Sequence, residues 1–99
     1  MRIEFDPAKD AANVAKHGVS LALAADLDWD LLLCHPDARR DYGELREVGY
    51  APVAWRVYAV VFVQKGEALR IISLRKANER EVIRYDQALH AFRVRAADA

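Results

Sequence analysis

Between Leu45 and Arg75 the chain passes through "LREVGY", "WRVYAVVFV" and "ALRIISLR", three segments dense in β-branched and aromatic residues and separated by short breaks. The series predicts an antiparallel meander, its last two strands joined by the turn "KGEA". In "WRVYAVVFV" the alternating set Trp55, Val57, Ala59, Val61 and Val63 is wholly apolar and is expected to face the core, while the other set carries Arg56 and Tyr58. With Gln64 opposite Leu69 across the turn, regular pairing sets Val60 opposite Ser73 and Tyr58 opposite Arg75. That register gathers Arg56, Tyr58, Ser73 and Arg75 on one face. A slip by one residue would turn Arg75 toward the core, where an unpaired charge is costly.

The flanking segments supply helices. "IEF" at 3–5 reads as a short strand, followed by Asp6 as an N-cap, Pro7 at the first helical position, and a helix that runs to Lys16 and His17 before Gly18 stops it. Ser20 caps a second short helix through "LALAADL", "WDLLLC" reads as a buried strand, and "HPDARRDYGE" as a polar loop. After the last strand, Asn78 and Glu81 have the spacing of a capping box and open a final helix. Its stripe Val82, Tyr85, Leu89 and Phe92 should be buried and Arg80, Arg84 and Arg95 solvated. The expected class is α+β, an antiparallel sheet with two N-terminal helices and one C-terminal helix. No linker, repeat or low-complexity tract intervenes, so residues 1–99 are expected to form a single domain.

Composition narrows the setting. The lone Cys34 has no partner for an internal disulfide, and neither a signal sequence nor a membrane span is seen, which points to the cytoplasm. The formal net charge is zero. It hides an asymmetry: residues 1–50 hold six Lys/Arg against ten Asp/Glu, and residues 51–99 nine against five. A basic surface able to attract phosphate or an acidic partner follows.

The cations cluster around "RIISLRKANERE" at 70–81. Arg75 and Arg56, on strands beside an aromatic ring and a hydroxyl, suit a phosphate-binding floor, with pairing to Glu44 or Glu47 as the structural alternative. Arg80 and Arg84 are helix neighbours whose repulsion of roughly 0.2–0.5 kcal/mol a bound anion or Glu81 would offset; otherwise they are solubilising residues. His17 either complements the helix dipole together with Lys16 or acts as a general acid/base. Other constellations are weak. Asp28 and Asp30 lack the companions a metal site needs, so none is expected, and Cys34 and His35 would point to opposite faces of a strand. No Gly-rich phosphate loop and no C-x-x-C motif occurs.

Taken together, "EFDPAKDAANVAKHGVS" at 4–20, "RRDYGELR" at 39–46, "RIISLRKANERE" at 70–81 and "RY" at 84–85 resemble the BrnT family of bacterial toxins, over nearly the whole chain. The resemblance implies a RelE-like fold, endoribonuclease activity without a metal or other cofactor, and growth arrest. It also implies neutralisation by a BrnA-like antitoxin carrying a ribbon-helix-helix DNA-binding domain, so that DNA is met only through the antitoxin. By motif position Arg75 and Arg56 fall to the scissile phosphate, with His17 or Glu44 as acid/base. Arg46, Tyr58, Ser73, Lys76, Arg80 and Arg84 fall to RNA binding. The competing reading is a non-catalytic or degenerate binding module whose basic face docks an acidic protein segment or nucleic acid.

Overall fold

The computed structural model describes residues 1–98. Five strands, β1 (Arg2–Glu4), β2 (Leu33–Pro36), β3 (Glu47–Val53), β4 (Arg56–Lys65) and β5 (Ala68–Lys76), form one sheet in the order β1-β5-β4-β3-β2. β2 to β5 pair antiparallel as the meander requires, and β1 joins the outer edge of β5 in parallel. Helix α1 (Pro7–His17) follows β1, and α2 (Glu79–Asp98) follows β5. The class is therefore α+β.

Helix α1 begins and ends as its sequence dictates. The Asp6 carboxylate accepts from the Ala8 N–H at 2.9 Å, and Gly18, at φ 71°, takes the left-handed conformation that closes the helix with its N–H on the Val14 carbonyl. The second N-terminal helix is a 3-10 helix, Leu21–Asp26, capped by Ser20. Leu21 and Ala24, three residues apart and both buried, stack on one side at the three-residue period of that helix. "WDLLLC" is corrected. Trp29–Leu31 is a 3-10 turn capped by Asp28, and the strand starts at Leu33 and continues through His35 and Pro36, which the loop reading had excluded. The Trp29 indole causes the delay: its N–H donates to the Ala24 carbonyl and its ring meets Phe62 edge-on at 5.4 Å.

Two strand expectations are also corrected. The main core lies on the face of Val60 and Phe62, where Leu21, Ala24, Ala51, Leu69, Ile71 and Leu74 pack against them. Val57, Ala59 and Val63 are buried on the opposite face, and Trp55 occupies the β3–β4 turn at 99% exposure. The β4–β5 register starts as expected, Gln64 opposite Leu69, but shifts at a bulge beyond Phe62 and Ile71. Past it, Val60 faces Leu74, Ala59 faces Arg75, and Tyr58 faces Lys76. The bulge lets Leu69, Ile71 and Leu74 all enter the core while Arg70, Ser73 and Arg75 stay out; unbroken alternation would have split them. Tyr58 consequently packs against the core and does not share a face with Arg75.

Helix α2 opens with a reciprocal capping box, Glu81 N–H to Asn78 Oδ1 at 2.8 Å and Asn78 N–H to Glu81 Oε1 at 2.9 Å. Tyr85 is buried, its hydroxyl donating to the Leu31 carbonyl at 2.7 Å. Phe92 is not buried. It is 65% exposed, because a helix of this length, about 30 Å, outruns a body 27 Å across.

Candidate active site

β1 pairs with β5 only from Ala68 to Arg70, which leaves the edge of β5 unpaired beyond it. Asn13, buried on α1, fills that gap: its amide donates to the Leu74 carbonyl at 2.7 Å and to the Val19 carbonyl at 2.8 Å, and its oxygen accepts from the Leu74 N–H at 3.2 Å. One side chain thus imitates a strand. It fixes the end of α1 beside the outward-facing half of β5, and the next helical turn carries Lys16 and His17.

On the sheet face opposite the main core, a cleft of about 790 Å3 opens. Its floor is two cross-strand rows, Val48, Val61 and Ser73, then Tyr50, Ala59 and Arg75. Lys16 and His17 bound it from α1, the segment His35 to Arg39 from β2 and the loop after it, and Glu81 from α2. The smaller floor residues, Val48, Ala59, Val61 and Ser73, leave room above them.

Charge in the cleft is organised in pairs. The Arg75 fork is held by Glu81, Nη1 to Oε1 at 2.7 Å and Nη2 to Oε2 at 2.9 Å, with Glu81 only 7% exposed and Arg75 38%. Tyr50 donates its hydroxyl to the same carboxylate at 3.0 Å. Chiefly through the Arg75 fork, Glu81 is depressed to about 2, burial opposing and the Asn78 N–H and Tyr50 hydroxyl assisting. Arg75 is raised in turn by Glu81. Burial, then the Glu81 contact, raises Tyr50. A second bidentate pair joins Arg39 to Asp37 at 2.8 and 2.7 Å and holds Asp37 well below the usual carboxylate range. Lys16, by contrast, has no ion-pair partner among the described residues. Burial first, then Lys16 and Arg75, lowers the His17 pKa, so its imidazole is neutral at neutral pH.

The structure brings together some of the residues singled out from the sequence and separates others. Arg75, Ser73 and His17 meet in the cleft. Neither Glu44 nor Glu47 pairs with Arg75; Glu81 does. Glu44 bonds Arg46 at 3.3 Å and borders a separate depression beside Arg70. Arg46 also stacks on Tyr42 at 4.1 Å, with Arg40 at 4.9 Å from the same ring, so it serves the β2–β3 loop. Arg56 begins β4 in solvent, Lys76 ends β5 exposed, and Arg80 and Arg84 line a groove on α2 with Ile83. Sequence reasoning missed Lys16, His35, Asp37, Arg39, Tyr50 and Glu81 as cleft residues. The spacing of Asp37 and Arg39 is a usable signal, whereas the spacing of Glu81 points to a cap and to the neighbouring Arg80 and Arg84, not to Arg75. Among the described residues no three His, Cys, Asp or Glu side chains come together to hold a metal.

With that geometry in hand, a family model described as ribonuclease toxin, BrnT, of type II toxin-antitoxin system matches residues 5–81. The chain belongs to the BrnT family of ribonuclease toxins. No curated protein matches it. The matched span takes in every residue that lines the cleft. A member of a type II toxin–antitoxin family has an antitoxin as its partner. None of the described helices is long and apolar enough to cross a membrane.

Proposed function

We propose that residues 1–99 form one cytoplasmic toxin domain that cuts RNA internally without a metal, through the cleft over β4 and β5. The observation that carries this reading is the convergence of Arg75, Arg39 and Lys16 with a neutral imidazole, His17, around a floor kept low by Val48, Ala59, Val61 and Ser73. In such a reaction the ribose 2′-hydroxyl attacks the adjacent phosphorus and the P–O5′ bond breaks. Guanidinium and ammonium groups stabilise the extra negative charge of the transition state, and His17 takes the 2′-hydroxyl proton. Arg75 meets the phosphate with the N–H donors that Glu81 and the Lys76 carbonyl leave free, its planar fork held in place by the Glu81 carboxylate. Glu81 and Tyr50 act as positioning residues. The proposed antitoxin is BrnA-like, with a ribbon-helix-helix domain that carries the DNA contact.

Expression without antitoxin tests the reading. The wild type should arrest growth and cleave RNA, and Arg75→Ala should lose about 10²- to 10³-fold in rate, the usual loss on removing one transition-state donor. Because Arg75→Ala leaves Glu81 buried without its ion-pair partner, Arg75→Ala combined with Glu81→Gln should recover stability but not cleavage. Arg75→Lys should retain partial activity, keeping charge without the fork. A folded double variant that cleaves at the wild-type rate refutes the role of Arg75. A wild type that binds RNA without cutting it supports the degenerate, binding-only reading, which the occupied fork of Arg75 favours.

A further inference from the structure

The cleft holds a second imidazole on the wall opposite α1. His35 lies on β2, opposite Val48, and the row continues through Val61 to Ser73, so three strand steps of about 4.8 Å place it roughly 14 Å from β5, the strand beside His17. Two histidine side chains reaching in from the two ends leave a gap suited to a phosphodiester and its ribose, and Arg75, on β5 at the His17 end, lines the same cleft. We propose that His35 is the general acid of the cleavage reaction, the partner of His17. This rests on the reading of the cleft as an RNA-cleaving site.

Orientation within the wall supports it. The His35 Nδ1 is 3.1 Å from the Pro36 carbonyl, an acceptor only, so Nδ1 keeps its hydrogen in that contact and Nε2 is the nitrogen free to exchange a proton. His35 is exposed, so substrate reaches it. Among its neighbours in the cleft, Asp37, Arg39, Tyr50, Arg75 and Glu81 offer no better donor. Asp37 and Glu81 are held as carboxylates by their arginines, the same pairs hold the protons on Arg39 and Arg75, and burial and Glu81 hold the Tyr50 proton on. The step balances within one molecule of RNA. His17 accepts the 2′-hydroxyl proton as the 2′-O–P bond forms, and His35 delivers a proton to the 5′-oxygen as the P–O5′ bond breaks. The products are a 2′,3′-cyclic phosphate end and a 5′-hydroxyl end.

The experiment compares two short single-stranded RNA substrates, one ordinary and one with sulfur in place of the 5′-bridging oxygen at the cut site. A thiolate leaves without a proton, so an acid is dispensable on the second substrate. His35→Gln should lose about 10²-fold or more on the ordinary RNA and almost nothing on the sulfur substrate, whereas His17→Gln should lose activity on both. Among the described residues the exposed side chain bonds only to its neighbour's carbonyl, so the thermal transition should not move. An equal loss on both substrates, or none on ordinary RNA, overturns the assignment while leaving the cleft reading intact. A wild type that cuts neither substrate overturns both.

Discussion

Arg75 is the residue on which the cleft turns, and its pairing with Glu81 sets both its position and its cost. The carboxylate is nearly buried, accepts from Arg75, Tyr50 and the Asn78 N–H, and so couples the cleft face of β5 to the start of α2. Its value in the fold, about 2, lies below the unfolded value of 4.5. The stability it contributes is therefore fully present above about pH 4.5 and is lost as pH falls toward 2. At about 1.4 kcal/mol per pH unit the depression corresponds to roughly 3 kcal/mol; Arg75 is more than a third exposed, and screening reduces this to about 1–2 kcal/mol. Urea melts of wild type and Glu81→Gln should thus differ by about 1–2 kcal/mol at pH 7 and converge near pH 2.5. A constant difference across that range would show that the charge of Glu81 contributes nothing to stability.

The elements were legible to different degrees, for reasons that lie in how local each signal is. Asp6, Pro7 and Gly18 determine α1 through contacts within a few residues, and Asn78 and Glu81 do the same for α2, so both ends could be read directly. The β5 bulge could not. Nothing in "RIISLR" alone says that Ile71 and Leu74 share a face, because that is settled by the core contributed by Leu21, Ala24 and Phe62 from elsewhere in the chain. The same non-local cause hid Asn13, whose role exists only because β1 is too short to cover the edge of β5. Asn13→Ala should strand the Leu74 N–H and C=O and loosen α1 from the sheet. At about 1 kcal/mol for each of three lost bonds, the destabilisation should be roughly 2–3 kcal/mol. Denaturant midpoints measure the loss, and amide exchange at Leu74 should quicken. Unchanged protection there would mean that neighbouring packing, and not the amide, closes the edge.

Across the whole molecule, zero net charge coexists with a cleft that gathers three cations, and pairing limits how much of their charge is left for the RNA of the proposed reaction. Two of the three cleft cations, Arg39 and Arg75, already share their charge with Asp37 and Glu81, leaving Lys16 as the cleft cation without an ion-pair partner among the described residues. Binding through the cleft is therefore expected to release few counterions. For single-stranded RNA the logarithm of affinity falls against the logarithm of salt concentration with a slope of about −0.7 per phosphate neutralised, so engagement by two or three cations gives a slope of about −1.4 to −2.1. The outer arginines Arg80 and Arg84 stand apart in their own groove on α2, and Arg56 stands at the start of β4. Were RNA to wrap onto them as well, the slope would steepen beyond about −3. Titration of the His17→Gln toxin, which should bind without cutting, with a short single-stranded RNA across a series of salt concentrations measures it. A slope near −2 that becomes shallower by about 0.7 in Lys16→Ala and stays unchanged in Arg80→Ala assigns the RNA path to the cleft. The converse pattern would move that path to the groove on α2.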